Sequence, residues 1–160
     1  MDDDTLHGYL QHHWVGSTAG VSLFHRVART HPDPAVAAVV GEIAGEVATE
    51  REMLRALMVS VGASPSRLGA LAARAGELAG RLKPNGRLLS RSPLTDVIEV
   101  ETLRDAVWGK RVGWQLLLSV ADADPRLDVG VLDELLRLAD DQLARLEDAH
   151  LGIARARLLS

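Results

Sequence analysis

Apolar residues recur at alternating steps of four and three between residues 36 and 61. The positions are Val36, Val40, Ile43, Val47, Glu50, Leu54, Leu57 and Val61. Because an α-helix has 3.6 residues per turn, these steps place all eight side chains on one face. The pattern therefore predicts a long helix with a buried apolar face. One position on that face is an acid, Glu50.

Helix-breaking residues divide the rest of the chain into three further helical segments. His31-Pro32-Asp33-Pro34 separates the first two segments, Ser92-Pro93 opens the third, and Asp124-Pro125 precedes the fourth. Proline is favoured in the first turn of a helix and disfavoured in its interior. We predict long helices at about 5–30, 34–61, 93–121 and 128–158, in a single domain over residues 1–160.

The connection over 62–92 is much longer than the other two. Its first part is amphipathic, through Leu68, Leu71, Ala75, Leu78 and Leu82, and Lys83-Pro84-Asn85-Gly86 then turns the chain. Two short connections and one long one predict two antiparallel hairpins joined by a crossover that contains a short extra helix.

Composition narrows the fold and the function. Aromatic residues make up 3% of the 160 residues, so the core is aliphatic, which favours an all-α fold over a β-sandwich. The absence of Cys excludes disulfides, thiol chemistry and Cys-type zinc sites. A net charge of −4 argues against a nucleic-acid partner.

The sequence also bears on the cellular location of the protein. No run of eighteen apolar residues occurs, so we expect no membrane partner. The N-terminus is acidic and lacks the pattern of a secretory signal, so we expect a cytoplasmic location. Sixteen arginines against two lysines are typical of a bacterial genome rich in G and C.

Glutamates stand on the second and third predicted helices, in Glu50-Arg51-Glu52-Met53 and in Glu99-Val100-Glu101. Together with the order of helices, these stretches make the chain resemble the ferritin-like superfamily over nearly its whole length. The first stretch is similar to the family's Glu-x-x-His helix. The resemblance implies a ferritin-like antiparallel four-helix bundle with one long crossover.

The resemblance also implies a set of positions for metal ligands. Di-metal members of the family supply Glu from two helices and Glu-x-x-His from the other two. Of these six positions, the chain keeps acids at Glu50 and Glu101. The other four positions hold Ser17, Met53, Ala139 and Gln142. The resemblance therefore implies the fold and argues against the family's metal chemistry.

Some residues are nevertheless candidates for a residual iron or manganese site. His13 lies on the apolar stripe of the first helix, where it can pair with Glu50, and Glu147 and His150 form a literal Glu-x-x-His in the fourth helix. Use of that motif shifts the alignment of the fourth helix with the second by eight residues, so that apolar positions no longer match apolar positions. We therefore prefer the alignment in which they do match. The alternative for Glu50 and for Glu101 is a structural carboxylate that pairs with Arg or His or points towards water.

One basic segment stands out in the crossover, where no acid occurs between Glu77 and Asp96. Its cations are Arg81, Lys83, Arg87 and Arg91. This segment can bind an anion such as phosphate, or an acidic partner. Alternatively, two neighbouring leucines dock the crossover on the bundle, and the cations offset nearby acids.

The third helix carries two glycines and two tryptophans close together. Gly109 and Gly113 share one face, so another helix can approach there. Trp108 and Trp114 point about 120° apart. Either one packs in the core and the other at a subunit interface, or both pack in the core, and we expect the second arrangement.

These observations predict a non-catalytic helical domain that acts through self-association, as a homodimer, or through another protein partner. No phosphate-binding glycine loop and no nucleophile motif occurs. Two alternatives remain: a residual di-metal or oxidase-type site that uses Glu50, Glu101 and a nearby His, and a small-ligand carrier with a pocket between the helices.

Overall fold

The structure is a computed structural model that describes residues 1–66 and 92–159. Over these residues it is all-α. The four long helices are α1 (Asp3–Thr30), α2 (Pro34–Ser60), α3 (Pro93–Val120) and α4 (Val129–Leu158). Each begins and ends within two residues of the range predicted from the sequence. The residues that carry the predicted crossover helix, 68–82, lie outside the described part of the chain.

Side-chain caps determine where the helices begin. Asp33 accepts hydrogen bonds from the backbone N–H groups of Ala35 at 2.9 Å and Val36 at 3.2 Å, and Pro34 occupies the first turn of α2. Such a cap satisfies backbone N–H groups that have no partner within the helix. The caps of α1, α3 and α4 are Asp2, Ser92 and Asp128. After α2, Gly62 has a φ of +84°, a left-handed conformation that favours glycine.

The four helices pair as two hairpins, α1 with α2 and α3 with α4. Two contacts give the direction of α1 relative to α3: His13 lies against Gly113, and Arg26 forms an ion pair with Glu99 at 2.5 Å. Residue numbers rise along α1 as they fall along α3, so these helices are antiparallel. Since α2 also runs opposite to α1, α2 and α3 are parallel. The chain between them therefore connects opposite ends of the bundle.

The apolar face predicted for α2 is confirmed. All eight positions from Val36 to Val61 are buried, and Glu50 is only 3% exposed. The core that they form is almost entirely aliphatic, with Phe24, Trp14 and Trp114 as its buried aromatic residues.

The sequence pattern of α4 predicts a buried stripe through Leu132, Leu136, Ala139, Leu143, Leu146, His150 and Ile153. Leu132, Ala139, Leu146 and Ile153 are buried as predicted, whereas the other three are half-buried, and Leu135 and Gln142 are fully buried instead. The reason is that α4 packs on both α3 and α2, so its buried arc is wider than one narrow stripe.

The two glycines of α3 differ in their surroundings. A Cβ atom placed on Gly113 would lie 2.6 Å from Cε1 of His13, which is closer than non-bonded atoms approach. A Cβ atom on Gly109 would meet no other atom within 4 Å. The His13 ring therefore packs directly on Gly113, whereas Gly109 faces open space.

The expectation that both tryptophans of α3 pack in the core is wrong for one of them. Trp114 is 5% exposed, but Trp108 is 56% exposed. Their angular separation of about 120° places Trp108 on the outer face of the helix when Trp114 faces inward.

No helix in the described ranges is both long enough and apolar enough to cross a membrane.

Candidate functional site

A buried ion pair joins α2 to α3 across the centre of the bundle. Lys110 Nζ lies 2.5 Å from Oε2 of Glu50. The Glu50 side chain is 4% exposed and that of Lys110 is 19% exposed. A carboxylate at this depth requires a cationic partner, because an isolated buried charge is very costly. The sequence predicts Arg or His for that role, and the structure places a lysine there instead.

Gln142 on α4 completes the hydrogen bonding of this pair. Its Oε1 accepts from Lys110 Nζ at 2.5 Å, and its Nε2 donates to Glu50 Oε1 at 2.6 Å and to Glu46 Oε2 at 2.8 Å. Arg145 in turn donates to Glu46 at 2.5 Å. Both oxygens of Glu50 and every polar atom of the Gln142 amide therefore have partners. We call Glu46, Glu50, Lys110, Gln142 and Arg145 the central network.

Sequence reasoning missed Lys110, although a signal for it exists. Lys110 continues the alternating steps of three and four along α3, where its apolar neighbours are all buried. The steps run through Val100, Leu103, Val107, Lys110, Trp114, Leu117 and Ala121. A lysine at such a position faces the core, as Glu50 does on α2. The sequence therefore places two opposite charges on two buried faces, and the packing of α2 against α3 brings them together.

Burial and pairing act in opposite directions on the charges of the central network. Burial lowers the pKa of Lys110 below its ordinary value, and the nearby Glu50 partly offsets this effect. Burial alone would raise the pKa of Glu46, but hydrogen bonds from Arg145 and Gln142 outweigh it, so that pKa is lowered. The donors around Glu46 thus favour the charged form of that carboxylate.

A cavity of about 610 Å³ lies beside the central network, between α1, α2 and α3. Lys110 and Glu50 both line it. The α1 wall includes four small residues, which leave space beside them: Gly16, Ser17, Ala19 and Gly20. The apolar lining includes Val21, Leu23, Phe24, Val47, Leu54, Val107 and Trp114. An apolar hollow with a few polar groups is typical of small-molecule sites, whose volumes run from roughly 300 to 1,000 Å³.

Arg51 adds a second cation to the lining. Its guanidinium lies over the ring of Trp14, 3.6 Å from the ring centroid, and donates to Thr18 Oγ1 at 3.1 Å. A cation stacked on an indole face is held in a defined orientation. Arg51 therefore contacts two residues of α1 while it lines the cavity.

The structure places the predicted metal candidates in two separate groups. His13 lines the cavity with Glu50, but no hydrogen bond or ion pair joins them among the described residues. Burial lowers the pKa of His13, which favours the neutral imidazole. Glu101 lies nine residues before Lys110 on α3, roughly 13 Å along the helix at 1.5 Å per residue, so it is remote from Glu50.

The second group contains Glu101, Glu147 and His150. His150 Nε2 lies 3.9 Å from Glu101 Oε2, and Arg104 lies 3.2 Å from His150 Nδ1 and 3.8 Å from Glu147. Glu147 thus already has a cationic neighbour in Arg104. Over residues 1–66 and 92–159, no set of three or more His, Asp or Glu side chains is arranged to hold a metal ion.

The basic crossover residues cannot be placed. Arg81, Lys83, Arg87 and Arg91 all lie outside the described ranges, so their predicted role as an anion or partner site stays a prediction.

Comparison with known proteins yields no match: protein-family models, curated proteins and solved structures were each searched, and none is similar to this chain. The geometry of the described residues is therefore the basis for assigning a function.

Removal of the lysine should destabilise the bundle. We expect Lys110→Met to lower the free energy of unfolding by about 3–5 kcal/mol at neutral pH, because it leaves the Glu50 carboxylate buried without its cation. Chemical denaturation of the two proteins measures this difference. Replacement of both partners, in Lys110→Met with Glu50→Leu, should recover most of the loss.

A matched control breaks an exposed ion pair instead. Arg137 and Glu134 form such a pair on α4, and Arg137→Met should change stability little. If Lys110→Met lowered the free energy of unfolding no more than Arg137→Met does, the buried ion pair would not stabilise the fold.

Proposed function

We propose that this protein binds a small, largely apolar molecule in the cavity between α1, α2 and α3. The observation that carries the proposal is the combination of an open apolar hollow with a hydrogen-bonded ion pair, Lys110–Glu50, in its wall. The buried charges in that wall are already positioned, so a ligand needs no rearrangement of the network. Pre-organised sites bind more tightly because less ordering accompanies binding.

We also propose that the bundle has ferritin-like connectivity. The parallel directions of α2 and α3 support this assignment, because they require one long crossover between two antiparallel hairpins. The position of Glu50 supports it as well. Its carboxylate meets Gln142, which the resemblance puts at a ligand position of the fourth helix.

In this proposal the central network replaces the di-metal centre of the family. The residues present do not fit iron or manganese, because the Lys110 ammonium already lies 2.5 Å from Glu50 and from Gln142. A metal ion at the same carboxylate would meet the repulsion of that ammonium. The lysine supplies the positive charge that the Glu50 carboxylate needs.

Filling the cavity should abolish binding without harming the fold. A side chain at Gly20, which lines the cavity, would enter open space. We expect Gly20→Leu to prevent binding of N-phenyl-1-naphthylamine, an uncharged apolar fluorophore whose emission rises on transfer out of water. The free energy of unfolding should rise by about 0.5–1 kcal/mol, since leucine is a better helix former than glycine.

Gly8 on the same helix provides the control. It lies outside the cavity lining, and a side chain there also meets open space. Gly8→Leu should bind the fluorophore as the unchanged protein does. Equal fluorescence from both variants would show that the dye binds elsewhere and would contradict the proposed function.

A second function, self-association through α3, is favoured by a separate observation. Five exposed apolar residues of α3 fall within an arc of about 80° at 100° per residue: Leu94, Ile98, Trp108, Val112 and Leu116. In an antiparallel pairing of two copies of α3, Leu94 faces Leu116 and Ile98 faces Val112. These contacts at the two ends of the stripe are self-complementary, as a two-fold interface requires, and Asp105 of each copy meets its equivalent at the centre.

A charge placed in this α3 stripe should separate the copies. We expect light scattering to give twice the 17.2 kDa mass of the chain for the unchanged protein at high concentration, and the single mass for Val112→Glu. The control is Leu151→Glu, which changes an apolar residue of similar exposure on α4. If the unchanged protein stays monomeric at every concentration, self-association through α3 is contradicted.

A further inference from the structure

The charges that line the cavity balance one another. Lys110 pairs with Glu50 at 2.5 Å. Arg51 lies 3.6 Å from Glu52, in a second ion pair. The remaining acid of the lining, Asp105, is exposed, and an exposed charge contributes little to pairing. An ion that enters this cavity gives up its hydration without meeting a buried, unpaired counter-charge, which is costly. The lining therefore favours an uncharged ligand.

Several polar side chains of the lining already have hydrogen-bond partners inside the protein. Glu50 and Lys110 form their hydrogen bonds within the central network. Ser17 Oγ donates to the backbone oxygen of Trp14 at 2.8 Å. The Nε1–H of Trp114 has no partner among the described residues, but this atom is fully buried, so a ligand in the cavity does not reach it. A polar group of the ligand therefore needs another partner.

Among the lining side chains that are not exposed, His13 is the one whose hydrogen-bonding atoms are both unpaired and accessible. Over the described ranges, neither ring nitrogen has a hydrogen-bond partner, and neither is among the fully buried atoms. The ring is held in place, because it packs on Gly113 and makes an edge-to-face contact with Tyr9, with 4.7 Å between ring centroids. His13 therefore presents an oriented imidazole with free hydrogen-bonding capacity in the cavity lining.

The imidazole of His13 is neutral at neutral pH. Burial lowers the pKa of His13 below its ordinary value, and the neighbouring His12 lowers it further. A neutral imidazole has one N–H that donates and one bare nitrogen that accepts. A hydroxyl group both donates and accepts, so it can bond to either nitrogen of the ring, whichever of them carries the proton.

We propose that the ligand is an uncharged apolar molecule with a single hydroxyl group, which forms a hydrogen bond with the imidazole of His13. This inference rests on the proposed function and specifies its ligand class. The apolar lining takes the hydrocarbon body, and the balanced charges of the wall disfavour ions. The hydrogen bond to His13 satisfies the one polar group of the ligand, which would be costly to bury without a partner.

Two uncharged probes of the same shape isolate the hydroxyl group: 1-naphthol and 1-methylnaphthalene. The dissociation constant of each is measured at neutral pH from its displacement of N-phenyl-1-naphthylamine, whose own affinity is first determined for each variant. His13→Phe keeps an aromatic ring on Gly113 and removes both nitrogens. We expect it to weaken the binding of 1-naphthol about tenfold, because the buried hydroxyl loses its partner. The affinity for 1-methylnaphthalene should stay the same.

Two further variants are matched controls for His13→Phe. His13→Gln supplies an amide that both donates and accepts, so it should restore most of the affinity for 1-naphthol. His25 is exposed on the same helix and lies outside the cavity lining, so His25→Phe should change the affinity for neither probe. A charged probe, 1-naphthoate, should bind the unchanged protein about tenfold more weakly than 1-naphthol or weaker still, since its carboxylate gives up more hydration.

Nuclear magnetic resonance of the histidine rings provides a second measurement, made on the unchanged protein. The ring ¹⁵N signals of His13 are assigned by their loss in His13→Gln. Saturation with 1-naphthol should move these signals further than saturation with 1-methylnaphthalene, because only the hydroxyl forms a hydrogen bond with a ring nitrogen. Equal movement with both probes would contradict the hydrogen bond.

The outcomes separate this inference from the proposed function. If His13→Phe affects the two naphthalenes equally, if 1-naphthoate binds as tightly as 1-naphthol, or if 1-naphthol does not displace the fluorophore, the ligand class is overturned while the cavity remains a binding site. If the Gly20→Leu variant binds the fluorophore as the unchanged protein does, the proposed function fails as well. A loss confined to 1-naphthol in His13→Phe, with recovery in His13→Gln, supports both.

Discussion

The ion pair between Lys110 and Glu50 is the interaction on which the centre of this bundle depends. Two charges taken out of water are costly, and their mutual attraction offsets that cost only when the geometry is good and the remaining polar atoms are satisfied. Gln142 meets this second condition, because it accepts from the lysine and donates to the glutamate. One helix of the first hairpin and both helices of the second therefore share a single set of hydrogen bonds.

The cavity follows from the same arrangement. The network holds α2, α3 and α4 together at the centre, whereas α1 presents small residues such as Gly16 and Gly20 on that side. Gly16 and Gly20 leave room on the α1 side, so an apolar hollow with Lys110 and Glu50 in its wall remains. A bundle whose interior had closed completely would need bulky residues at these α1 positions. The position of the polar network and the small residues of α1 thus have one functional consequence, which is room for a ligand.

Local signals in the sequence account for much of the fold, and long-range pairing accounts for what sequence reasoning missed. The caps Asp33 and Asp128 and the burial of Glu50 follow from patterns within one helix. The partner of Glu50 depends on which faces of different helices meet, which no single helix determines. Lys110 shows the difference. Its place on the buried face of α3 follows from the sequence pattern of that helix, whereas its ion pair with Glu50 depends on how the two hairpins pack. The same limit applies to Gln142, whose full burial reflects the contact of α4 with two neighbours.

Nuclear magnetic resonance of the lysine side chains tests the central ion pair most directly. The chain has only two lysines, Lys83 and Lys110, so a Lys83→Arg variant assigns the ¹⁵Nζ signals without ambiguity. The account predicts that Lys110 gives an ammonium signal whose protons exchange slowly with water, because Glu50 and Gln142 hold them in a buried site. Exchange as fast as that of a lysine free in solution would contradict the buried network and the site built on it.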